Sequence, residues 1–517
     1  MDKTLKTILE KEVGHKVIWN DNFMVYALNL GSRSEAEKIA GSKKIKEYFA
    51  TEIIEKNGRV FLNFCPNEKG MEHGLKLALK KKFNFKPKSL RNRPRTQIEF
   101  ISANPTGELH VGHGRGGFLG DVLSNILEKS GHKVTREYYI NDSKQSNQIK
   151  ELGKTVLGKG ESYLTDYLKN KILNYRSSTS IVEEAGYLVA QEIQKDNKKF
   201  IEDGLKIKFD SWFFEEKDLR EKSYFKKAEK ALKNYIYKKD GAFWFKSSEF
   251  GGTEDNVVIR SDGSPGYFLS NVAYFFYHFT KKNFDKMIFI WGADHQEEVK
   301  RMLAIKKILG WNGELDILIS QLVTIKEAGE KKKLSKRKGT VVLLKDLLED
   351  VGLDALRWFF LSKSLDTHMD FDLELAKEQS KKNPVYYVQY AGARMSSILE
   401  KSGSLSQNFL TISPLARSFR QKSKNFDPAH KYERALILKL AQMPEVLEGI
   451  AKDCQVHHLA SYVYELAKSF TDFYENVRVL EAENEELKKS RLELVFISRQ
   501  ILEKVLFLMG IAAPERM

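Results

Sequence analysis

Residues 96–117 read TQIEFISANPTGELHVGHGRGG, and no other stretch restricts the fold as tightly. TQIEFIS alternates and is β-prone, so it reads as a strand running into a loop of small residues. Beyond the loop, Leu119, Val122, Leu123, Ile126 and Leu127 recur at helical spacing until Gly131 ends the pattern. His110 and His113 therefore sit where a strand end turns into a helix start, the place where α/β sheets bind phosphates. Glycines let backbone N–H groups approach an anion there, and the helix dipole favours its charge. Two imidazoles on one face of the first turn can donate hydrogen bonds to charge building on phosphoryl oxygens. An HxGH pair alone is only moderately specific, because capping or core histidines give the same spacing.

The rest of the chain extends an α/β pattern from Gln97. KVTREYYI reads as a second strand, and residues 143–232 are mostly helical and polar, as in an insertion between two halves of a sheet. In IYKKDGAFWF (236–245), Asp-Gly between β-prone runs predicts a hairpin. KMIFIWGADH (286–295) reads as a buried parallel strand ending in a polar turn. TVVLL reads as a further strand before the helix start KDLLEDVG, and beyond about Phe371 the pattern is helical to Met517, broken by the polar stretch 401–430. Residues 1–85 mix short helical and strand-like pieces, VFLNF being the clearest strand. KKKFNFKPKSLRNRPR (80–95), with eight basic residues and two prolines, reads as a linker.

At 517 residues the chain exceeds one ordinary core, so roughly two to four domains are expected. An excess of 86 Lys and Arg over 70 Asp and Glu suits a polyanionic partner, although a diffuse basic surface would look the same. Cys65 and Cys454 stand far apart without a CxxC pairing, which excludes a disulfide framework or cysteine-rich zinc site and fits a reducing cytosol. The charged start lacks the apolar core of a signal peptide, and no run approaches the ~18 apolar residues of a membrane span. A cytoplasmic protein without a membrane partner or structural metal is expected.

A second chemical feature lies about one domain downstream. Lys331, Lys332, Lys333, Lys336, Arg337 and Lys338 make six of the eight residues at 331–338 basic. Most such runs are solvated surface. A mobile lysine loop over a triphosphate, however, stabilises a transition state by charge alone. HVGH and KLSKR resemble the two signature motifs of class I aminoacyl-tRNA synthetases. More narrowly, IEFISANPTGELHVGHGRGG, VTREYYIND, RSDGSPGYFLSNVAYF, FIWGADH, KKLSKRKGTVVLLKDLLEDVGLDALRWFFLS, DFDLELAKEQSKKNPVYYVQYAGARM and the terminal APERM resemble, in order, arginyl-tRNA synthetases.

The resemblance implies an α/β protein: a Rossmann-like class I synthetase catalytic domain (96–375) with an inserted helical and hairpin region at about 143–255. A small α+β N-terminal domain (1–90) would precede it, as a tRNA-elbow module, and an all-α anticodon-binding domain (376–517) would follow. The implied reaction adenylates arginine with ATP, Mg²⁺ arriving with the nucleotide, and transfers it to tRNA(Arg); a monomer is expected. His110 and His113 would hold the α-phosphate region and Lys333 and Lys336 the departing pyrophosphate. Gly112, Gly292, Asp294, His295, Leu334 and Ser335 would line the ATP side. Arginine would meet Glu99, Ser102, Asn104, His110, Tyr267, Asn271 and His295. Its guanidinium fork is best met by a carboxylate, although alternation alone leaves open which face Glu99 takes. On the RNA side, Tyr386, Tyr387, Tyr390 and Arg394 form one aromatic-basic cluster and Phe473, Tyr474 and Arg478 another. Tyr390, Arg394, Tyr474 and Met517 are the expected tRNA contacts.

Three departures from the family pattern stand out. Asn271 occupies a position that usually holds Asp, which leaves Glu99 as the only carboxylate opposing the guanidinium. Leu334 replaces the usual Met, a volume-conserving change, and the N-terminal region is short for an elbow module. A small-molecule nucleotidyltransferase sharing the HxGH motif would not need the aromatic-basic C-terminus, and a catalytically inactive RNA-binding paralogue would not need both histidines and both lysines. If Lys336 acts on the transition state, Lys336→Ala slows adenylate formation by about 10²–10³ and leaves arginine and tRNA binding near normal. Single-turnover kinetics at saturating ATP check this; weakened ATP binding with an unchanged bound-state rate would refute it.

Overall fold

The computed structural model describes residues 3–20, 25–80, 93–173, 175, 179–250, 254–327, 330–331, 342–403 and 430–517. Most of the linker at 80–95, the core of the lysine loop and most of the polar stretch 401–430 lie outside the described residues.

The N-terminal module begins with α1 (Leu5–Val13), whose first turn is capped by the Thr4 hydroxyl and which ends at Gly14 with φ 75°. β1 (Ile18–Asn20), β2 (Val25–Leu30), β3 (Phe49–Lys56) and β4 (Arg59–Pro66) form an antiparallel sheet of order β1-β2-β4-β3. α2 (Arg33–Ala40), α3 (Lys43–Tyr48) and α4 (Glu68–Ala78) complete it. Leu9, Tyr26, Leu62 and Phe64 form the centre of its core.

Residues 92–124 and 132–377 form one compact unit. Its centre is a parallel sheet built from β5 (Arg95–Glu99), β6 (Lys133–Ile140), β7 (Ser211–Phe214), and, after intervening elements, the strands Lys286–Gly292 and Glu314–Ser320. α5 (Val111–Lys129) makes the crossover between β5 and β6. The stretch expected to be helical contributes α6 (Asn147–Val156), α7 (Asp166–Ile172) and α8 (Val182–Lys199), but it also supplies β7, which pairs with β6 through Glu137 to Ile140. Four residues, SWFF, were too short a run to register as a strand until β6 offered them a ladder.

α9 (Tyr224–Leu232) is followed by the expected hairpin of β8 (Ile236–Lys239) and β9 (Ala242–Phe245), which β10 (Asn256–Ile259) extends. Asp240 and Gly241 take φ of 50° and 78° at its turn, as a type I′ connection requires. α10 (Tyr267–Tyr277), β11 (Lys286–Gly292), α11 (Glu298–Ile308) and β12 (Glu314–Ser320) return the chain to the main sheet, giving the order β12-β11-β5-β6-β7. Connections leave the adjacent strands β5 and β11 toward opposite sides, so the crevice at their carboxyl ends is the ligand-binding switch point of such sheets.

β13 (Val323–Glu327) and the two-residue β14 (Glu330–Lys331) lead to the lysine loop. The expected strand TVVLL is corrected here: among its described residues Leu343 makes a single bridge to His110, and α12 (Leu344–Val351) begins immediately afterwards. Leu344 and Leu347 are buried on one side of α12, so helical burial wins over β-propensity. α13 (Leu353–Leu361), β15 (Met369–Asp372) and α14 (Leu373–Lys377) close this unit.

The N-terminal module, residues 125–131 and residues 378–517 form the second unit. α15 (Pro384–Lys401) starts with proline after the Asn383 cap, followed by α16 (Lys431–Asp453), α17 (His457–Asn476) and α18 (Glu485–Met509). The N-terminal module packs on α16. A Cβ on Gly74 would lie 2.6 Å from that of Ala441, and Thr4 donates to Glu448 at 2.8 Å. Tyr26 and the Lys6 amide both donate to Glu445, whose burial pushes its carboxyl up to about 7. Among the described residues no helix is long and apolar enough to cross a membrane.

The glycines of HGRGG are explained by packing. A Cβ on Gly114 would strike Leu344, on Gly117 Ile101, and on Gly120 the Phe100 ring at 2.4 Å. Gly120→Ala lowers stability by about 1–3 kcal/mol, because overpacking outweighs the roughly 1 kcal/mol that alanine gains in a helix. Gly107→Ala, where a Cβ meets open space, serves as the control. Thermal unfolding of both variants checks it; an unchanged or higher midpoint for Gly120→Ala would show that the contact yields freely.

Candidate active site

The chain leaves β5 under strain. Ile101 and Ser102 adopt φ of 67° and 39°, a left-handed pair that costs about 1–3 kcal/mol per residue. Local bonds offset this. The Ser102 hydroxyl accepts the Tyr139 amide at 3.0 Å, and the Tyr138 hydroxyl bridges both backbone groups of Ala103. Asn104 lies exposed on the ensuing loop.

The His110 and His113 rings lie with centroids 3.7 Å apart at an interplanar tilt of 34°. Their tautomers follow from their partners. The Gly112 amide donates to His110 Nδ1 at 3.2 Å, and the His110 amide donates to His113 Nδ1 at 3.1 Å. Each neutral ring therefore carries its proton on Nε2 and offers one N–H donor. Burial keeps both neutral: it lowers His110 against the opposing pull of Asp294, and it pushes His113 down to about 3 with help from His110. Gly112 has a local purpose, since a Cβ there would lie 3.0 Å from the His110 ring. Arg115 donates to the carbonyls of Gln321 and Ser364.

Two backbone bonds join this loop to the segment following the lysines. The Val111 amide donates to Val342 O at 3.1 Å and the Leu344 amide to Leu109 O at 2.9 Å. Lys333, Leu334, Ser335 and Lys336 lie outside the described residues, but the chain that follows them is fixed beside His110.

Glu99 ends β5 with 4% of its surface exposed, so the face left open by alternation is the inner one. Its carboxylate accepts the Trp291 indole N–H at 3.2 Å. Burial raises it to about 7, against the bonds from Ser102 and Trp291, while the neighbouring Glu137 adds to the rise. Glu137 is partnered locally: His278 Nε2 lies 2.6 Å away, and Tyr274, Gln97 and Ser211 donate to it.

Around Trp291 the polar cluster continues. The His295 ring centroid lies 6.1 Å from that of Trp291, and the ring donates through Nδ1 to Glu298 at 3.1 Å. That bond, with burial opposing it, raises His295. Asn271, one turn into α10, donates its amide to the other Glu298 oxygen at 3.2 Å. Glu298, the carboxylate beside Asn271 and His295, was not singled out from the sequence. The signal available was an acid three residues after His295, one turn along a helix start. Gly292 caps that turn, where a Cβ would meet the Asp294 carboxylate, and Asp294 itself is largely exposed. Tyr267 heads α10, and its side chain lies outside the described residues.

In the helical unit, the two aromatic-basic clusters of the sequence become one. Arg394 lies over the Tyr474 ring at 4.5 Å and near Tyr390 at 5.9 Å, and Tyr386 stacks parallel to Tyr390. All are partly exposed, whereas Phe473 is core. Gln389 and Arg499 donate to the carbonyls of Ala512 and Ala513, tying the C-terminal tail back, and the terminal Met517 is half exposed.

Residues 75–150 and 188–360 match the catalytic domain of class I (R) tRNA synthetases, and residues 388–517 match the DALR anticodon binding domain. An arginine–tRNA ligase of Dehalococcoides mccartyi is 39% identical over 88% of this chain and 84% of its own length. That of Bacillus subtilis is 36% identical over 90% and 86%. The structure of Thermus thermophilus arginyl-tRNA synthetase shares the fold over 99% of this chain and all of its own, with a TM-score of 0.74 at 20% identity.

Because His113 is held neutral, acidification protonates the unfolded chain first, and its contribution to stability is lost as pH falls from about 6.5 toward 3. Histidine NMR titration of the folded protein should find His113 titrating well below the usual range. A His113 pKa at or above 6.5 would contradict the Nδ1 assignment.

Proposed function

The chain belongs to the arginyl-tRNA synthetase family, and we propose that it adenylates L-arginine with ATP and then transfers it to the 3′-terminal ribose of tRNA(Arg). The observation that carries the reading is Glu99, a buried acid at a parallel strand end, one loop before two imidazoles poised as neutral donors. An inward carboxylate is costly unless a cation meets it, and a guanidinium is the cation whose fork fits it.

The arginine carboxylate attacks the α-phosphorus in line, pyrophosphate leaves, and the terminal ribose hydroxyl then displaces AMP from the adenylate. No protein nucleophile is required, so catalysis consists of positioning and charge stabilisation. The Nε2–H groups of His110 and His113 donate to oxygens that gain charge at phosphorus. As neutral donors they follow the shifting charge without binding the triphosphate ground state as an ammonium would. Lys333 and Lys336 meet the departing pyrophosphate, and Val342 and Leu343, farther along the same segment, are clamped beside His110. Mg²⁺ enters as part of the nucleotide substrate. Gly292 leaves room where β11 ends, and His295 and Asn271 face arginine.

Tyr390, Arg394 and Tyr474 provide rings for an unstacked anticodon base and a cation for its phosphate. Met517, on the tethered tail, extends this RNA contact. Cys65 and Cys454 are not disulfide-bonded, in keeping with action in the cytoplasm.

ATP–pyrophosphate exchange with purified protein, arginine and bulk tRNA tests the reading. Exchange should depend on arginine, and its arginine KM should rise as pH falls below about 7, by up to about tenfold per pH unit, since a cation must then expel the Glu99 proton. Glu99→Gln should abolish this pH dependence and weaken arginine binding by about 3–5 kcal/mol. Near-normal arginine KM in Glu99→Gln would remove Glu99 from the pocket.

A further inference from the structure

We propose that Glu298 is the second carboxylate of the arginine pocket, a specificity-determining residue that meets the guanidinium from the side lined by Asn271 and His295. This rests on the reading of the pocket as the arginine site.

Three observations support it. First, the carboxylate is oriented: one oxygen accepts from Asn271 at 3.2 Å and the other from His295 at 3.1 Å. An ionised carboxylate has about four acceptor positions, so two remain for a donor fork. Second, the group is partly enclosed, with 30% of its side chain exposed at the first turn of α11, where the helix dipole favours negative charge. Burial pushes its carboxyl up, but the His295 bond and charge and the charge of Arg301 outweigh burial and leave it below the usual range. Third, Trp291 links the two acids. Its indole donates to Glu99, and its ring neighbours His295, which Glu298 holds.

Asn271 then has a physical reason. A carboxylate at 271 would confront Glu298 across a hydrogen-bond distance, and two such acids cannot both ionise freely. With an amide at 271, the NH₂ group donates to Glu298 and the pair carries one negative charge in total. The charge sits at 298, with Asn271 as its positioning partner.

The test uses the full-length protein in arginine-dependent exchange, with citrulline, which carries a neutral ureido group in place of the guanidinium, as a competitive inhibitor. Glu298→Gln removes the charge and retains an oxygen acceptor for His295, while its NH₂ group can donate to Asn271 once the Asn271 amide flips to present its oxygen. We expect it to raise the arginine KM about 10- to 100-fold, the equivalent of one charge-assisted hydrogen bond, while kcat, ATP KM and the citrulline inhibition constant stay within about threefold. Adding Asn271→Asp to Glu298→Gln restores the charge from the opposite partner and should return the arginine KM to within about threefold of the unaltered protein. An unchanged arginine KM in Glu298→Gln, or failure of the double variant to recover, overturns the assignment. So does a parallel loss of arginine and citrulline binding, which would mark Glu298 as a support for His295 alone. Absence of arginine-dependent exchange in the unaltered protein would overturn the parent reading as well, and is a separate observation.

Discussion

Two backbone hydrogen bonds hold the catalytic unit to its purpose: Val111 to Val342 and Leu344 to Leu109. They are ordinary bonds, each contributing about 1 kcal/mol net, but they join segments more than two hundred residues apart in the chain. They clamp Val342 and Leu344 to the start of α5, beside the imidazole pair. The glycines of α5 make this possible, because only a helix face without side chains lets Leu344, Ile101 and Phe100 approach so closely.

Around that clamp, polar groups are buried in compensated sets. Both histidines remain neutral because backbone amides occupy Nδ1 and burial disfavours a proton. Glu137 is answered by His278, Tyr274 and Gln97, so its charge is satisfied within the fold. Glu99, one strand away in register, has fewer partners, and burial pushes its carboxyl up to about 7. That contrast supports the proposed role of Glu99 as the acid that meets the guanidinium. The strained pair Ile101 and Ser102 delivers the chain from one group to the other, and the bonds to Tyr138 and Tyr139 hold it there.

The helical unit follows the same economy by packing rather than charge. Its interior aromatics, Phe470 and Phe473 among them, are fully buried, while Tyr390, Arg394 and Tyr474 remain partly exposed as a preassembled cation–π group. The N-terminal module is joined to α16 through Tyr26, Thr4 and the close approach at Gly74. That module therefore contributes to the stability of the anticodon-binding helices.

Local pattern in the chain determined the strand–loop–helix at 96–129, the Asp-Gly hairpin, the buried strand before GADH and the helical C-terminal region, because each rests on periodicity or on turn chemistry within a few residues. The collinear motifs determined the family and pointed to His110, His113, Glu99 and Asn271. Tertiary structure alone decided the rest. β7 is a strand because β6 offers it a ladder, and Leu343 is a bridge rather than the middle of a strand because α12 gains more from burying Leu344 and Leu347. The inner face of Glu99, the fusion of two aromatic clusters around Arg394, and the presence of Glu298 beside Asn271 are contacts between residues 27 to 192 positions apart. No short-range pattern encodes which side chains meet across such separations; the sheet order and the helix packing do.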